Sequence, residues 1–131
     1  MIDLHDYKAN YVWFGKSTGY GCATLLWLLK HKPDYLAQYD RCGTIMDYFA
    51  AKLTGEKLVK ISTHNAASWG YYNTEESDWN RAILEAAGFP VTMLPLVVPV
   101  GSRVGSLKLG IVSDIKPGTP VTVALGDLQV Q

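Results

Sequence analysis

Residues 64–73 read HNAASWGYYN, a run of amides, hydroxyls and aromatic rings set between an apolar stretch and an acidic one. Such a mixture suits a polyol, because a sugar offers hydroxyls for hydrogen bonding and weakly apolar C–H faces for flat rings. Asn65, Ser68, Trp69 and Tyr71 supply those groups within seven residues. The same residues also suit a well-bonded connecting loop with Trp69 and Tyr71 turned into the core. Composition alone leaves both readings open.

The flanking segments place this run in an α/β context. Upstream, EKLVKIS (56–62) reads as a short strand. Before it, CATLLWLL (22–29) has no polar face and reads as a helix buried on most sides, ended by Lys30, His31, Lys32 and Pro33. Pro33 opens a second helix carrying Tyr35, Leu36 and Tyr39, with Gly43 as its stop. Thr44 and Asp47 form a capping-box pattern for a third helix, with Ile45, Tyr48 and Phe49 on one stripe and Gly55 at its end. Downstream, a fourth helix is expected from Ser77 and Asp78, with Trp79, Ile83, Leu84 and Ala87 on one face and Gly88 after it. Pro90, Pro95 and Pro99 exclude regular helix beyond that point. SLKLGIV (106–112) and PVTVAL (120–125) read as strands joined through a Lys116-Pro117-Gly118 turn. Helices lead and strands follow, which gives α/β or α+β, with several helices and a small mixed sheet.

Composition narrows the function. The 131 residues suffice for one compact core, and 48% of them are hydrophobic. Twelve basic and twelve acidic residues cancel, without a run of like charge, so a nucleic-acid partner is not expected. The apolar run at 22–29 is far shorter than the roughly 20 residues of a membrane span, so no membrane association is expected either. Cys22 and Cys42 lack ligand spacing and read as small core thiols. The opening MIDLHDYKAN lacks the apolar region of a secretory signal, and a reducing, cytoplasmic setting is expected. GKST (15–18) ends like a phosphate-binding loop, but Asn10 stands where its first glycine belongs. His5, His31 and His64 are scattered, without metal-ligand spacing.

The second chemical candidate is VTVALGDLQ (121–129). A carboxylate just after a buried strand, behind a glycine that permits close approach, sits where α/β folds collect catalytic groups. Asp127 holds that place. A turn or helix-cap role fits the same placement.

Taken in order, STGYGCATLLWLLK, CGTIMDY, NAASWGYYNTEESDW, GFPVTMLP and VTVALGDLQ resemble successive landmarks of the FGGY family of carbohydrate kinases. The forms NAASWGY and GDLQ are most similar to the branch of that family acting on sedoheptulose. The resemblance runs from about Ser17 to Gln129. It implies a partial actin-like, ribonuclease-H-like domain and transfer of the γ-phosphoryl group of ATP to a primary hydroxyl of sedoheptulose. By the same resemblance Asp127 is the catalytic base. Asn65, Ser68 and Trp69 would line or support the sugar pocket, and Gln129 would bond sugar hydroxyls or hold its loop. Tyr20, next to the family's sugar-facing position before the first helix, is a further substrate contact. ATP and Mg²⁺ are the implied cofactors.

Two departures shape what is expected of the chain. Thr63 stands where the resemblance calls for an acid two residues before Asn65. Residues 1–16 do not resemble the family's phosphate- and Mg²⁺-holding hairpin, and the nucleotide-binding C-terminal domain is expected to be absent. The expectation is therefore an atypical segment over 1–16 and a partial N-terminal kinase domain over 17–131, inactive by itself. The alternatives are a non-catalytic sugar-binding or interaction module, or a piece of a pentulose or glycerol kinase of the same family.

Overall fold

A computed structural model describes residues 20–108 and 113–126. They form two compact units, one of residues 20–40 and 66–93 and the other of 41–65, 94–108 and 113–126.

In the first unit, helix α1 (Tyr20–His31) ends on Lys30 and His31, and the Lys30 charge complements the helix C-terminus. Helix α2 (Pro33–Leu36) is one turn, with Pro33 at its start and Leu36 buried. It stops well short of Gly43, because only Leu36 on this segment finds cover while Tyr35 and Tyr39 stay exposed and pair edge to face. The centre of the unit is a cluster of large rings. Trp69 and Trp79 lie 5.9 Å apart at 45°, and Tyr72 meets Trp79 edge-on at 6.1 Å. Trp79 is brought there by a short antiparallel ladder of β2 (Tyr72–Asn73) with β3 (Asp78–Trp79). Asn73 shapes the connection, its side-chain oxygen accepting the Glu75 and Glu76 N–H groups. The expected helix from Ser77 therefore begins later, as α5 (Arg81–Ala86), and Trp79 belongs to the ladder. Its end follows expectation. Gly88 takes φ 78°, its N–H donates to Glu85 O, and the buried Phe89 donates to Leu84 O, a Schellman closure. A 3₁₀ turn (Val91–Met93) follows.

The second unit is helix α3 (Ile45–Thr54) on strands. The capping box read from Thr44 and Asp47 is present: Thr44 Oγ1 accepts the Asp47 N–H at 3.1 Å, and Asp47 Oδ2 accepts the Thr44 N–H at 2.9 Å. Gly55 ends the helix at φ 69°. The buried face differs from the expected stripe. Asp47, Ala50 and Thr54 face inward, whereas Ile45, Tyr48 and Phe49 are exposed. Ala50 packs with Val104 and Val123, and Val98 and Val121 flank them.

Strand β1 (Lys60–Ser62) pairs in parallel with β4 (Leu96–Val98), with Ile61 opposite Val97 and both Ile61 and Ser62 fully buried. Strand β5 (Arg103–Ser106) pairs antiparallel with β6 (Pro120–Thr122), with a register shift between Arg103 and Gly105. The strand expected over 106–112 thus lies mainly earlier in the chain, and residues 109–112 lie outside those described. The observed class is mixed α/β, in agreement with the sequence.

Candidate functional site

The amide- and aromatic-rich run begins as a helix rather than a loop. Helix α4 (Thr63–Trp69) starts directly from β1, with Ser62 Oγ accepting the Asn65 N–H at 3.2 Å. A serine whose side chain takes an N–H three residues on is an N-cap. That signal stands in the sequence at Ser62, inside the segment that reads as strand. The helix ends where Gly70 and Tyr71 both take positive φ, 82° and 54°.

Within the second unit, Asn65 is buried and its side-chain nitrogen donates to the carbonyl oxygen of Ala124 at 3.2 Å. The carboxamide so links the start of α4 to the chain leaving β6, across 59 residues of sequence. Val123, one residue earlier, is buried in the core, and its N–H donates to Ser102 O at 2.8 Å. Residues 120–124 are thereby fixed by ladder pairing, by the Ser102 carbonyl and by Asn65. Gly126 lies two residues beyond, and Asp127 follows it in sequence.

The other sequence-derived candidates fall in different surroundings. Ser68 is exposed on α4. Trp69 is buried in the first unit, its indole covered by the backbone of Gly21 and by Trp79. Of Tyr20 only the backbone is described, at the start of α1. Asp127 and Gln129 lie outside the described residues.

Two clefts stand apart from these residues. One, of about 780 Å³ in the second unit, is lined by Thr44, Tyr48, Lys52, Lys57 and Lys108 among others. The other, of about 410 Å³ in the first unit, is largely apolar, with Leu26, Leu29, Ile83 and Ala87 in its wall. Neither includes Asn65, Ser68 or Trp69.

Two groups carry displaced pKa values in the second unit. Burial raises the Asp47 carboxyl, partly offset by the Thr44 N–H and hydroxyl. Burial, with Asp47 beside it, pushes the Cys42 thiol up to about 12. Both belong to the cap of α3. Among the described residues no group of three or more His, Cys, Asp or Glu side chains could hold a metal ion. No helix among them is long and apolar enough to cross a membrane.

Comparison with known proteins gives a consistent picture. The profile of the FGGY family of carbohydrate kinases, N-terminal domain, matches residues 10–131. A sedoheptulokinase of Mus musculus is 49% identical over 113 residues, covering 86% of this chain and 24% of the relative. An autoinducer-2 kinase of Klebsiella pneumoniae is 36% identical over 108 residues, covering 81% of this chain and 20% of the relative. Among solved structures, Plasmodium falciparum glycerol kinase with ADP aligns with a TM-score of 0.71 at 20% identity, over 98% of this chain and 26% of that one. The chain spans a fifth to a quarter of the length of the curated relatives it matches.

Proposed function

Because the chain belongs to the FGGY family of carbohydrate kinases, we propose that it contributes the sugar-binding part and the proton acceptor of a kinase that phosphorylates sedoheptulose to sedoheptulose 7-phosphate. The observation carrying this reading is the 49% identity with a sedoheptulokinase over 113 residues, against 36% with an autoinducer-2 kinase over 108. Those residues include the HNAASWGYYN run. The fold agrees with a sugar kinase in general, and the choice of sedoheptulose rests on the sequence.

The chemistry asks little of the protein beyond positioning and charge. When bound, ATP supplies the γ-phosphoryl group. The attacking primary hydroxyl of the sugar must lose its proton as the new P–O bond forms and the bond to ADP breaks, and a single carboxylate held near that oxygen can accept it. Asp127 takes that role in this reading. Ser68, exposed on α4, contributes a hydroxyl for the sugar, and the Gln129 carboxamide bonds sugar hydroxyls or holds its loop. By the resemblance, Trp69, buried in the first unit, and Asn65, buried in the second, are each assigned to line or support the sugar pocket. Tyr20 is a further sugar contact. No step is assigned to the metal.

The test is ADP release by the active kinase carrying these residues, with sedoheptulose, xylulose and glycerol compared as substrates. A kcat/KM for sedoheptulose at least tenfold above the others is expected, and preference for another polyol overturns the substrate. Asp127→Asn should remove most of kcat while sparing sugar binding. An active variant overturns the proton-acceptor role.

A further inference from the structure

We infer that Asn65 is a positioning residue for the proton acceptor: its buried carboxamide sets the direction in which the chain leaves β6 toward Asp127. The inference rests on the reading of Asp127 as the base, but its geometry stands on described residues alone.

Three observations carry it. Asn65 is only 5% exposed, so its side chain is taken up by the protein interior rather than presented to solvent. Its Nδ2 donates to Ala124 O at 3.2 Å, at the last part of the chain before Gly126. Its own N–H is held by Ser62 Oγ, and Ser62 is fully buried at the end of β1 opposite Val98. The carboxamide is therefore anchored from behind by the parallel pair and reaches forward to the β6 exit.

The physical need is clear. Beyond Thr122 the β5–β6 ladder no longer fixes the strand, and the Val123 N–H turns to Ser102 O instead. From Ala124 the chain has three residues in which to reach Asp127, at most about 10 Å of extended backbone. Gly126 in that interval adds conformational freedom. A freely pivoting carbonyl at Ala124 would spread the carboxylate over several positions. Placement within about 0.5 Å is what catalytic groups require. A carboxamide suits the task because it donates to a backbone carbonyl without adding a charge beside the base.

Two measurements test it. In amide hydrogen exchange on the 131-residue chain, Asn65→Ala should speed exchange at Leu125 and Gly126 at least tenfold, with Ile61 and Val97 unchanged. Asn65→Asp keeps the volume and removes the NH₂ donor, so it should give the same local pattern if the alanine variant loosens the whole fold. Unchanged exchange at Leu125 and Gly126, or equal acceleration everywhere in both variants, overturns the inference. In the active kinase, Asn65→Ala should lower kcat at least tenfold with the sugar KM within twofold. In an Asp127→Asn background it should cost little further. A raised KM with kcat intact would make Asn65 a sugar ligand instead and overturn the positioning role. If Asp127→Asn alone stays active while the exchange pattern appears, the base assignment fails and the clamp survives as a structural fact.

Discussion

The backbone of Gly21 packs so closely against the indole of Trp69 that a methyl group at its α-carbon would fall on the ring, at Cδ2 and Cε2. Gly21 sits inside helix α1, where alanine would normally be favoured by about 0.5–1 kcal/mol. Here the contact decides the sign. Ring and helix would have to separate, and overpacking of this kind costs about 1–3 kcal/mol. Gly21→Ala is therefore expected to lower the urea midpoint and to shift the fluorescence of Trp69 and Trp79, which share the cluster. An unchanged or raised midpoint would show that α1 can retreat without loss.

Asp47 gives a prediction with a definite pH sign. Its carboxyl is buried, one oxygen accepts the Thr44 N–H, and the other has no hydrogen-bond partner among the described residues. Burial holds its pKa above the ordinary 3.8 in the folded chain. The neutral form is thus favoured by folding, and the group's contribution is fully present below pH 3.8 and is lost as pH rises through the folded-state value. Asp47→Asn keeps an oxygen for the Thr44 N–H and removes the titration. Relative to wild type, the variant should gain stability between about pH 3 and pH 7. Thermal melts at both pH values check this, and a relative loss at neutral pH would mean that the helix N-terminus stabilises the carboxylate more than burial penalises it.

Cys42 should be nearly inert despite being only partly covered. With its thiol pushed up to about 12 by burial and by Asp47, roughly one molecule in ten thousand carries the reactive thiolate at pH 8. Cys22 is buried. Iodoacetamide at about pH 8 should label neither thiol in the folded chain within the time that labels both in denaturant. Asp47→Asn removes one of the two causes and should speed labelling at Cys42 specifically. Rapid labelling of the wild-type chain would refute the assignment.

The parts of this fold that can be read from sequence are those marked by local chemistry. Thr44, Asp47, Gly55 and Gly88 delimit two helices through bonds and φ values that their residue types dictate. What covers a helix is not local. The stripe of Ile45, Tyr48 and Phe49 has helical spacing, yet Ile45 is 83% exposed, because the strands of the second unit meet Ala50 and Thr54 instead. Trp79 likewise has helical spacing with Ile83, but the positive φ of Tyr71 and Ser77 folds Asp78–Trp79 back onto Tyr72–Asn73. The Asn65–Ala124 bond joins residues 59 apart and leaves no trace in either neighbourhood. Asp127 and Gln129 are legible only through resemblance, since an acid and an amide after a strand have ordinary turn roles too.

The contrast between Asn65 and Ser68, three residues apart on α4, separates support from contact. Asn65 is buried and bonded to Ala124, whereas Ser68 is exposed. Removing the Asn65 carboxamide leaves the half-buried Ala124 carbonyl without this donor, a loss of about 1–3 kcal/mol. Replacing a serine at an exposed position generally costs less than removing the donor from a buried polar pair. Asn65→Ala should therefore lower the melting temperature by several degrees, and Ser68→Ala should lower it by less. Sugar binding should show the reverse order, with Ser68→Ala raising the KM for sedoheptulose in the active kinase and Asn65→Ala leaving it within twofold. Equal effects of the two substitutions on melting and on KM would mean that α4 acts as one rigid piece, in which contact and support cannot be assigned to separate residues.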